Sequence, residues 1–326
     1  MEEIFSIGIN FIQSFQGLGE WLAGPMSVIT FLGSEWFFLF FLPVLYWSVD
    51  AGLGIRVGVI LLVSGAVNDA FKLLLHHPRP YWYDPSVKAH AVETSFGAPS
   101  GHAQIATGVW GMVAAFLKKW WAWLVAAILI LLIGLSRLYL AVHFLHDVLL
   151  GWLIGIIVLA LTVWLWKPVT TWLKRLTPGV QVLAAFAFSL VMILINLLPF
   201  LWLKANWILP AEWVTNAVGA FPDAEPINPV TLSGALTNAG TFFGLATGLA
   251  LLHLRGGFNA HGKAWKRVLR FIVGLIGVLV LYFGLKAIFP DGDTWLPYLL
   301  RYIRYALVGL WVSAGAPLVF QKLKLA

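Results

Sequence analysis

Of the 326 residues, 60% are hydrophobic and 11% are charged, whereas a soluble globular chain carries about 25% charged residues. The net charge of +7 is scattered among apolar spans, which argues against a nucleic-acid partner and for charge in the loops of a membrane protein. No cysteine is present, so disulfides, thiolate catalysis and cysteine-ligated metals are excluded.

The N-terminus, Met1-Glu2-Glu3, is acidic where a secretory signal needs a basic region, so the first segment is expected to stay on the protein. Ile4, Ile7, Phe11, Ile12 and Phe15 fall at helical spacing opposite Glu2, Glu3, Gln13 and Gln16. Residues 1-27 are therefore expected to hold a helix lying along the membrane interface, or a packed N-terminal helix. Apolar runs long enough to cross about 30 Å of hydrocarbon follow near 28-48, 53-75, 100-117, 121-141, 146-166, 181-203, 231-253, 268-288 and 299-320. The fold expected is all-α, a polytopic transmembrane bundle of about nine spans. The 18 Trp and 8 Tyr suit either interfacial belts or packed apolar interiors.

Lys and Arg in the loops set an orientation. With the N-terminus outside, Lys118, Lys119, Lys167, Lys174, Arg175, Arg255, Lys263, Lys266, Arg267, Arg270, Lys322 and Lys324 collect inside. Asp84, Glu93, Glu212, Asp223, Glu225, Asp291 and Asp293 then lie outside. The expectation is a multi-pass protein with its C-terminus in the cytoplasm.

Three polar clusters interrupt the apolar chain, and this orientation places all three on the outer face. The first is Lys72 with Arg79-Pro80. Two cations near a helix end would hold a phosphate, the Arg fork matching its oxygens. Alternatively, Lys72 pairs with Asp69 and Arg79 snorkels into headgroups. The second is Pro99-Ser100-Gly101-His102, just before an apolar run. Ser100 can cap that helix while the N–H groups of Gly101 and His102 face outward as an anion site; an ordinary helix start with an incidental histidine is the alternative. The third is Ser136-Arg137 with His143 and Asp147. Arg137 and His143 would stand about 120° apart on a continuous helix, so a turn must bring them together. His143 and Asp147 stack on one helix face, as a nucleophile and the carboxylate that orients it. His146 points elsewhere, to packing or the interface. A metal is the competing chemistry, since His143, His146, Asp147, His76 and His77 are ligand types. The interleaved cations suit an anion better, so neither metal nor cofactor is expected.

Together, Lys72-x6-Arg79-Pro80, Pro99-Ser100-Gly101-His102 and Ser136-Arg137-x5-His143-x3-Asp147 resemble the complete three-part signature of the type 2 phosphatidic acid phosphatase (PAP2) family, in order, over about residues 60 to 160. The resemblance implies a phosphatase whose catalytic core spans 28-166, with a four-span C-terminal region over 167-326. It implies that His143 attacks phosphorus to form a phosphohistidine, that Asp147 orients it, and that His102 protonates the leaving oxygen and later activates water. Lys72, Arg79, Ser100, Gly101 and Arg137 would bind the phosphoryl oxygens. The implied substrate is a phosphorylated lipid or another phosphate ester, met at the bilayer. Asn68-x3-Lys72, Arg79-Pro80-Tyr81-Trp82, Glu93-Thr94 and Ser136 to Phe144 are also similar to the glucose-6-phosphatase branch. Asp147 departs from that branch, which has Gln there, so the substrate stays open between lipid and sugar phosphates, and hydrolysis stays open against phosphotransfer to an alcohol. A transporter is the reading from another class, disfavoured because no internal repeat is visible and the ionisable groups gather at one face. Residues from Trp207 to Pro229 are expected either to cap the outer face or simply to connect helices.

Overall fold

The computed structural model describes residues 2–325. Met1 and Ala326 lie outside the described residues, as does the side chain of Glu2, so the expectation drawn from Met1-Glu2-Glu3 falls largely outside them. All regular structure among the described residues is helical. In chain order the helices are α1 (Glu2–Gln16), α2 (Ala23–Phe31), α3 (Glu35–Val44), α4 (Ala51–Leu75), α5 (Pro80–Tyr83), α6 (Gly101–Leu117) and α7 (Trp120–Tyr139). They continue as α8 (Leu145–Leu173), α9 (Pro178–Asn206), α10 (Ala211–Ala220), α11 (Ser233–His253), α12 (Ala264–Ile288), α13 (Trp295–Leu310) and α14 (Ala316–Lys322).

Among the described residues, seven helical stretches are long and apolar enough to cross a bilayer, and a bent pair makes eight. The nine expected spans are therefore not reproduced. The difference lies in two places. The expected span over 28-48 is broken: Glu20–Phe31 and Glu35–Val49 meet at a 44° bend, where Leu32, Gly33 and Ser34 interrupt the helical ladder. The span over 100-117 becomes α6, whose 17 residues stand at the short end of what crosses hydrocarbon. Elsewhere the apolar surface is what lipid requires. On α12, Val268, Ile272, Ile276, Val280 and Phe283 are exposed at three- and four-residue spacing and form one stripe.

The chain divides into two compact units, the first made of Met1–Phe37, Val67–Leu159 and Leu197–Thr231. In it, Lys118 turns left-handed (φ 53°) to end α6, and α7 starts two residues later. This short link folds α7 back onto α6. Small Ala114, Ala122 and Ala126 then let the two helices approach closely. Helix α1 is apolar on two sides. Phe5, Ile9 and Ile12 are buried against Val87, Ala141 and Phe144, while Ile4, Ile7 and Phe11 stay exposed. The single stripe expected from spacing is thus split: Ile12 turns inward, because Ile9 and Phe5, one and two turns away, belong to the packed face.

The second unit comprises Phe38–Ala66, Ala160–Asn196 and Leu232–Ala326. Gly240, Gly244 and Gly248 recur every four residues on α11 and lie against Tyr302, Ala306 and Ser313. A side chain at Gly240 or Gly244 would meet backbone, and one at Gly248 would meet the Ser313 hydroxyl, so the helices approach closely, as small-residue stripes allow in lipid. Arg270 is fully buried in this unit. It donates from Nε to Leu325 O (2.9 Å), from Nη1 to Trp47 O (3.1 Å) and Ala260 O (2.8 Å), and from Nη2 to His261 O (2.8 Å). The guanidinium thereby ties three chain segments together. Arg270→Met is expected to destabilise the protein by at least about 3 kcal/mol, since hydrogen bonds to a charged group contribute about 1.5–3 kcal/mol each. Thermal unfolding in detergent measures it.

Candidate active site

The site lies within the first unit, and each part of it follows from a local feature of the chain. Helix α4 ends after Leu75, where His76 turns left-handed (φ 40°) ahead of Pro78 and Pro80; neither proline can supply a helical N–H. The chain then places Arg79 as the residue before α5. Ser100 caps α6, its Oγ accepting from Ala103 N (3.5 Å) while its own N–H donates to Asp147 O (2.9 Å). The first-turn N–H groups of Gly101 and His102 consequently lack intrahelical acceptors. Helix α7 stops at Tyr139, and Ala141 adopts the left-handed region (φ 57°) so that the chain reverses before α8. That is the turn the Arg137–His143 spacing required.

Arg79 is the hub. Its Nε donates to Ser95 O (2.7 Å), and its Nη2 to Ser95 Oγ (3.1 Å) and Phe96 O (3.2 Å). Its Nη1 donates to Val142 O (2.9 Å) and lies 3.3 Å from His143 Nε2. It therefore holds the 93-96 loop and the 142-143 turn in one place. Lys72 Nζ donates to Ser95 Oγ (2.7 Å), so it faces this centre. Arg137 donates from Nη1 to Thr30 Oγ1 (2.8 Å) and pairs through Nη2 with Glu93 Oε1; Glu93 Oε2 lies 3.4 Å from Arg79 Nη2. The Glu93 carboxylate bridges two guanidiniums. Burial pushes its carboxyl upward, yet the charges of Arg79 and Arg137 hold it well below the usual carboxylate range.

His143 and Asp147 are buried, with His143 Nδ1 3.4 Å from Asp147 Oδ2. Asp147 Oδ2 also accepts from Phe144 N (2.9 Å), which fixes the carboxylate. Burial first, and the Arg79 charge second, push the His143 imidazole down to about 3 against the opposing pull of Asp147. It is neutral near pH 7, and with the proton on the Asp147 side Nε2 presents its lone pair beside Arg79. Gly97 lets the chain pass here: a Cβ would sit 2.5 Å from Pro78 O and 3.2 Å from Asp147 Oδ2. The His102 ring packs beside Gly33 in the bend between α2 and α3, and its electrostatic neighbours are Arg137, Glu93, His143 and Lys72.

All eight residues singled out in the sequence thus converge: Lys72, Arg79, Ser100, Gly101, His102, Arg137, His143 and Asp147. Thr30 and Ser95 were missed. Each is an ordinary hydroxyl residue, and only the fold sets it against a cation. The α1 contacts were missed too: Phe5 meets Phe144 with ring centroids 5.0 Å apart, so the N-terminal helix braces the turn that carries His143.

The segment from Trp207 to Pro229 does lie over this region. Asn216 Nδ2 donates to Trp82 O (2.9 Å), Asn228 N donates to Thr94 O (3.1 Å), and the Trp207 and Phe96 rings meet edge to face at 5.4 Å. Between this segment and Tyr81 and Glu93 runs a narrow crevice of about 20 Å³, also lined by Phe221, Glu225 and Ile227; that is room for about one water.

Residues 53–171 match the PAP2 superfamily model, and residues 236–326 match the model described as PAP2 superfamily phosphatase, transmembrane extension. Glucose-6-phosphatase 3 of Bos taurus is 30% identical over 193 residues, covering 52% of this chain and 54% of the relative. Glucose-6-phosphatase 3 of Mus musculus is 26% identical over 351 residues, covering 99% of this chain and 97% of the relative. Sphingosine-1-phosphate phosphatase 2 of Mus musculus is 31% identical over 142 residues, covering 41% and 40%. The chain spans about half the length of the first curated relatives it matches, 54% in each case. Among solved structures, the crystal structure of the first transmembrane PAP2 type phosphatidylglycerolphosphate phosphatase from Bacillus subtilis is 26% identical, with a TM-score of 0.46, covering 52% of this chain and 88% of that one. With its three motifs gathered around one buried histidine and both family segments in place, the chain belongs to the PAP2 superfamily and carries that superfamily's phosphatase transmembrane extension.

Proposed function

We propose that the chain is a phosphoric monoester hydrolase of the membrane that cleaves a phosphate monoester or pyrophosphate of a lipid through a phosphohistidine. The observation that carries this reading is His143 set between its two partners, Nδ1 toward Asp147 and Nε2 toward Arg79. A phosphate entering between Lys72, Arg79 and Arg137 would displace Glu93 from the guanidiniums and meet the first-turn N–H groups of Gly101 and His102. His143 Nε2 then forms a bond to phosphorus as the bond to the leaving oxygen breaks, and protonated His102 gives its proton to that oxygen. In the second half His102 takes a proton from water, the water oxygen bonds to phosphorus, and the phosphorus–nitrogen bond breaks to release phosphate. The cations stabilise the charge on the equatorial oxygens in both halves. Turnover on this reading needs no metal.

The charge asymmetry of the loops supports an extracytoplasmic site, with the N-terminus outside and the C-terminus in the cytoplasm. Residues 28-166 would carry the catalytic core, 1-27 an interfacial helix through the exposed Ile4, Ile7 and Phe11, and 167-326 a four-span region. A sugar phosphate is the second reading. It is favoured by the relatives named glucose-6-phosphatase and by Glu93 and Tyr81, polar groups that border the crevice beside the cations.

A panel of lipid, prenyl and sugar phosphates, given to the purified full-length protein without added metal, tests both. Faster phosphate release from lipid or prenyl phosphates is the expected result. A preference for sugar phosphates would establish the second reading. Labelled phospholipid product without free phosphate would make the protein a phosphotransferase, and phosphate flux into liposomes without hydrolysis would make it a transporter.

A further inference from the structure

Beside the reacting face of Asp147, the fold assembles a second constellation. His77, His146 and Asp147 each offer a ligand atom, and these atoms lie within 4.8 Å of one another. His77 stands 69 positions before His146, so spacing along the chain did not group them. The sequence alternatives His143 and His76 are not members of the group.

His77 Nδ1, His146 Nε2 and Asp147 Oδ1 are all buried and have no hydrogen-bond partner among the described residues. His146 Nε2 stands 3.1 Å from Asp147 Oδ1, in reach of an ion pair but outside hydrogen-bond geometry. Asp147 itself is fully buried. Two of these atoms face each other and His77 Nδ1 faces neither a donor nor an acceptor, so a ligand shared by all three would satisfy what the protein leaves unmade. The rings are also held in position. His146 stacks on Phe144 (5.3 Å, 11°), and Phe5 meets His77 edge to face (5.7 Å) and His146 at 5.8 Å. The charged and titratable groups that act on His77 are Asp147, His146 and His76; the cations of the phosphate cradle bear on the His143 side of Asp147 instead.

Two imidazole nitrogens and one carboxylate oxygen, with a fourth position open to water, is a donor set that suits a zinc-class divalent cation and does not suit magnesium or calcium. We propose that His77, His146 and Asp147 bind Zn²⁺, and that the bound cation restrains the hydrolysis described above through the carboxylate it shares with His143. Asp147 Oδ2 faces His143 and Oδ1 faces the cation. Charge donated to the metal through Oδ1 is withdrawn from the imidazole, and His143 becomes a weaker nucleophile. The binding site stands on the geometry alone; its effect on turnover rests on the proposed phosphohistidine reading.

The test equilibrates purified full-length protein with buffered Zn²⁺, measures bound zinc by elemental analysis, and repeats this for His77→Ala and His146→Ala. The wild type is expected to hold one equivalent more than either variant, and Co²⁺ is expected to give a tetrahedral visible spectrum in the wild type alone. His77→Phe, which fills the space against Phe5, serves if an alanine variant fails to fold, as judged by thermal unfolding. Equal zinc content with no difference in the Co²⁺ spectrum overturns the site. Phosphate release is followed in parallel, each protein referred to its own zinc-free rate. Inhibition in the variants is expected to need about 10- to 100-fold more Zn²⁺, the range over which losing a metal-site partner lowers affinity. Extra zinc in the wild type with identical inhibition in all proteins overturns the link through Asp147. Extra zinc with no hydrolysis of any panel substrate overturns the proposed function and leaves the site standing.

Discussion

Replacing His143 with alanine is expected, on the proposed mechanism, to lower phosphate release by at least about 10⁴-fold, since loss of a nucleophile from a charge-stabilised site costs up to about 10⁶ in comparable systems. The side chain is buried and lies between Arg79 and Asp147, so His143→Gln should accompany it to limit the cavity. Unfolding temperature in detergent separates lost chemistry from lost fold. The wild type, mixed briefly with labelled substrate and quenched in base, should carry label that acid releases, as a phosphorus–nitrogen bond requires; neither variant should. Turnover near wild type in a folded variant, or label that survives acid, would remove the phosphohistidine from the mechanism.

Arg79→Lys is expected to have the next largest effect, lowering kcat/KM by about 100-fold or more. The charge is kept, but an ammonium cannot fork. Arg79 reaches Ser95, Phe96, Val142 and His143 from three nitrogens, and a lysine holds at most a fraction of these. Loss of two charge-assisted bonds of about 1.5 kcal/mol each amounts to about 3 kcal/mol, or roughly two decades in rate. Because the same bonds fasten the 142-143 turn, the unfolding temperature should fall as well. A variant within a few-fold of the wild type would show that the cradle needs only positive charge at this position.

Much of the candidate site was legible because its parts are local. Ser100 as a cap, His143 and Asp147 on one helix face, and Arg79 between two prolines are each decided within a few residues. The necessary reversal after Arg137 was also inferable, although not that Ala141 would make it with a left-handed backbone. The partners of the cations were not legible. Thr30 and Ser95 reach Arg137 and Arg79 only because the bend at Gly33 and the loop before α6 pass close by. That bend is one of the two reasons the span count fell short, the short α6 being the other: a continuous apolar run carries no signal distinguishing one helix from two joined at 44°.

Composition and spacing by themselves determined a helical membrane protein and three polar motifs, because hydropathy and helical periodicity act over tens of residues at most. Tertiary structure decided what faces each motif. It placed Glu93 between the guanidiniums of Arg79 and Arg137, braced the His143 turn with α1, laid the Trp207 to Pro229 segment over Glu93 and Thr94, and brought His77 to His146. Those are contacts between residues far apart in the chain, which arise only when buried faces must be matched and buried polar atoms must find partners.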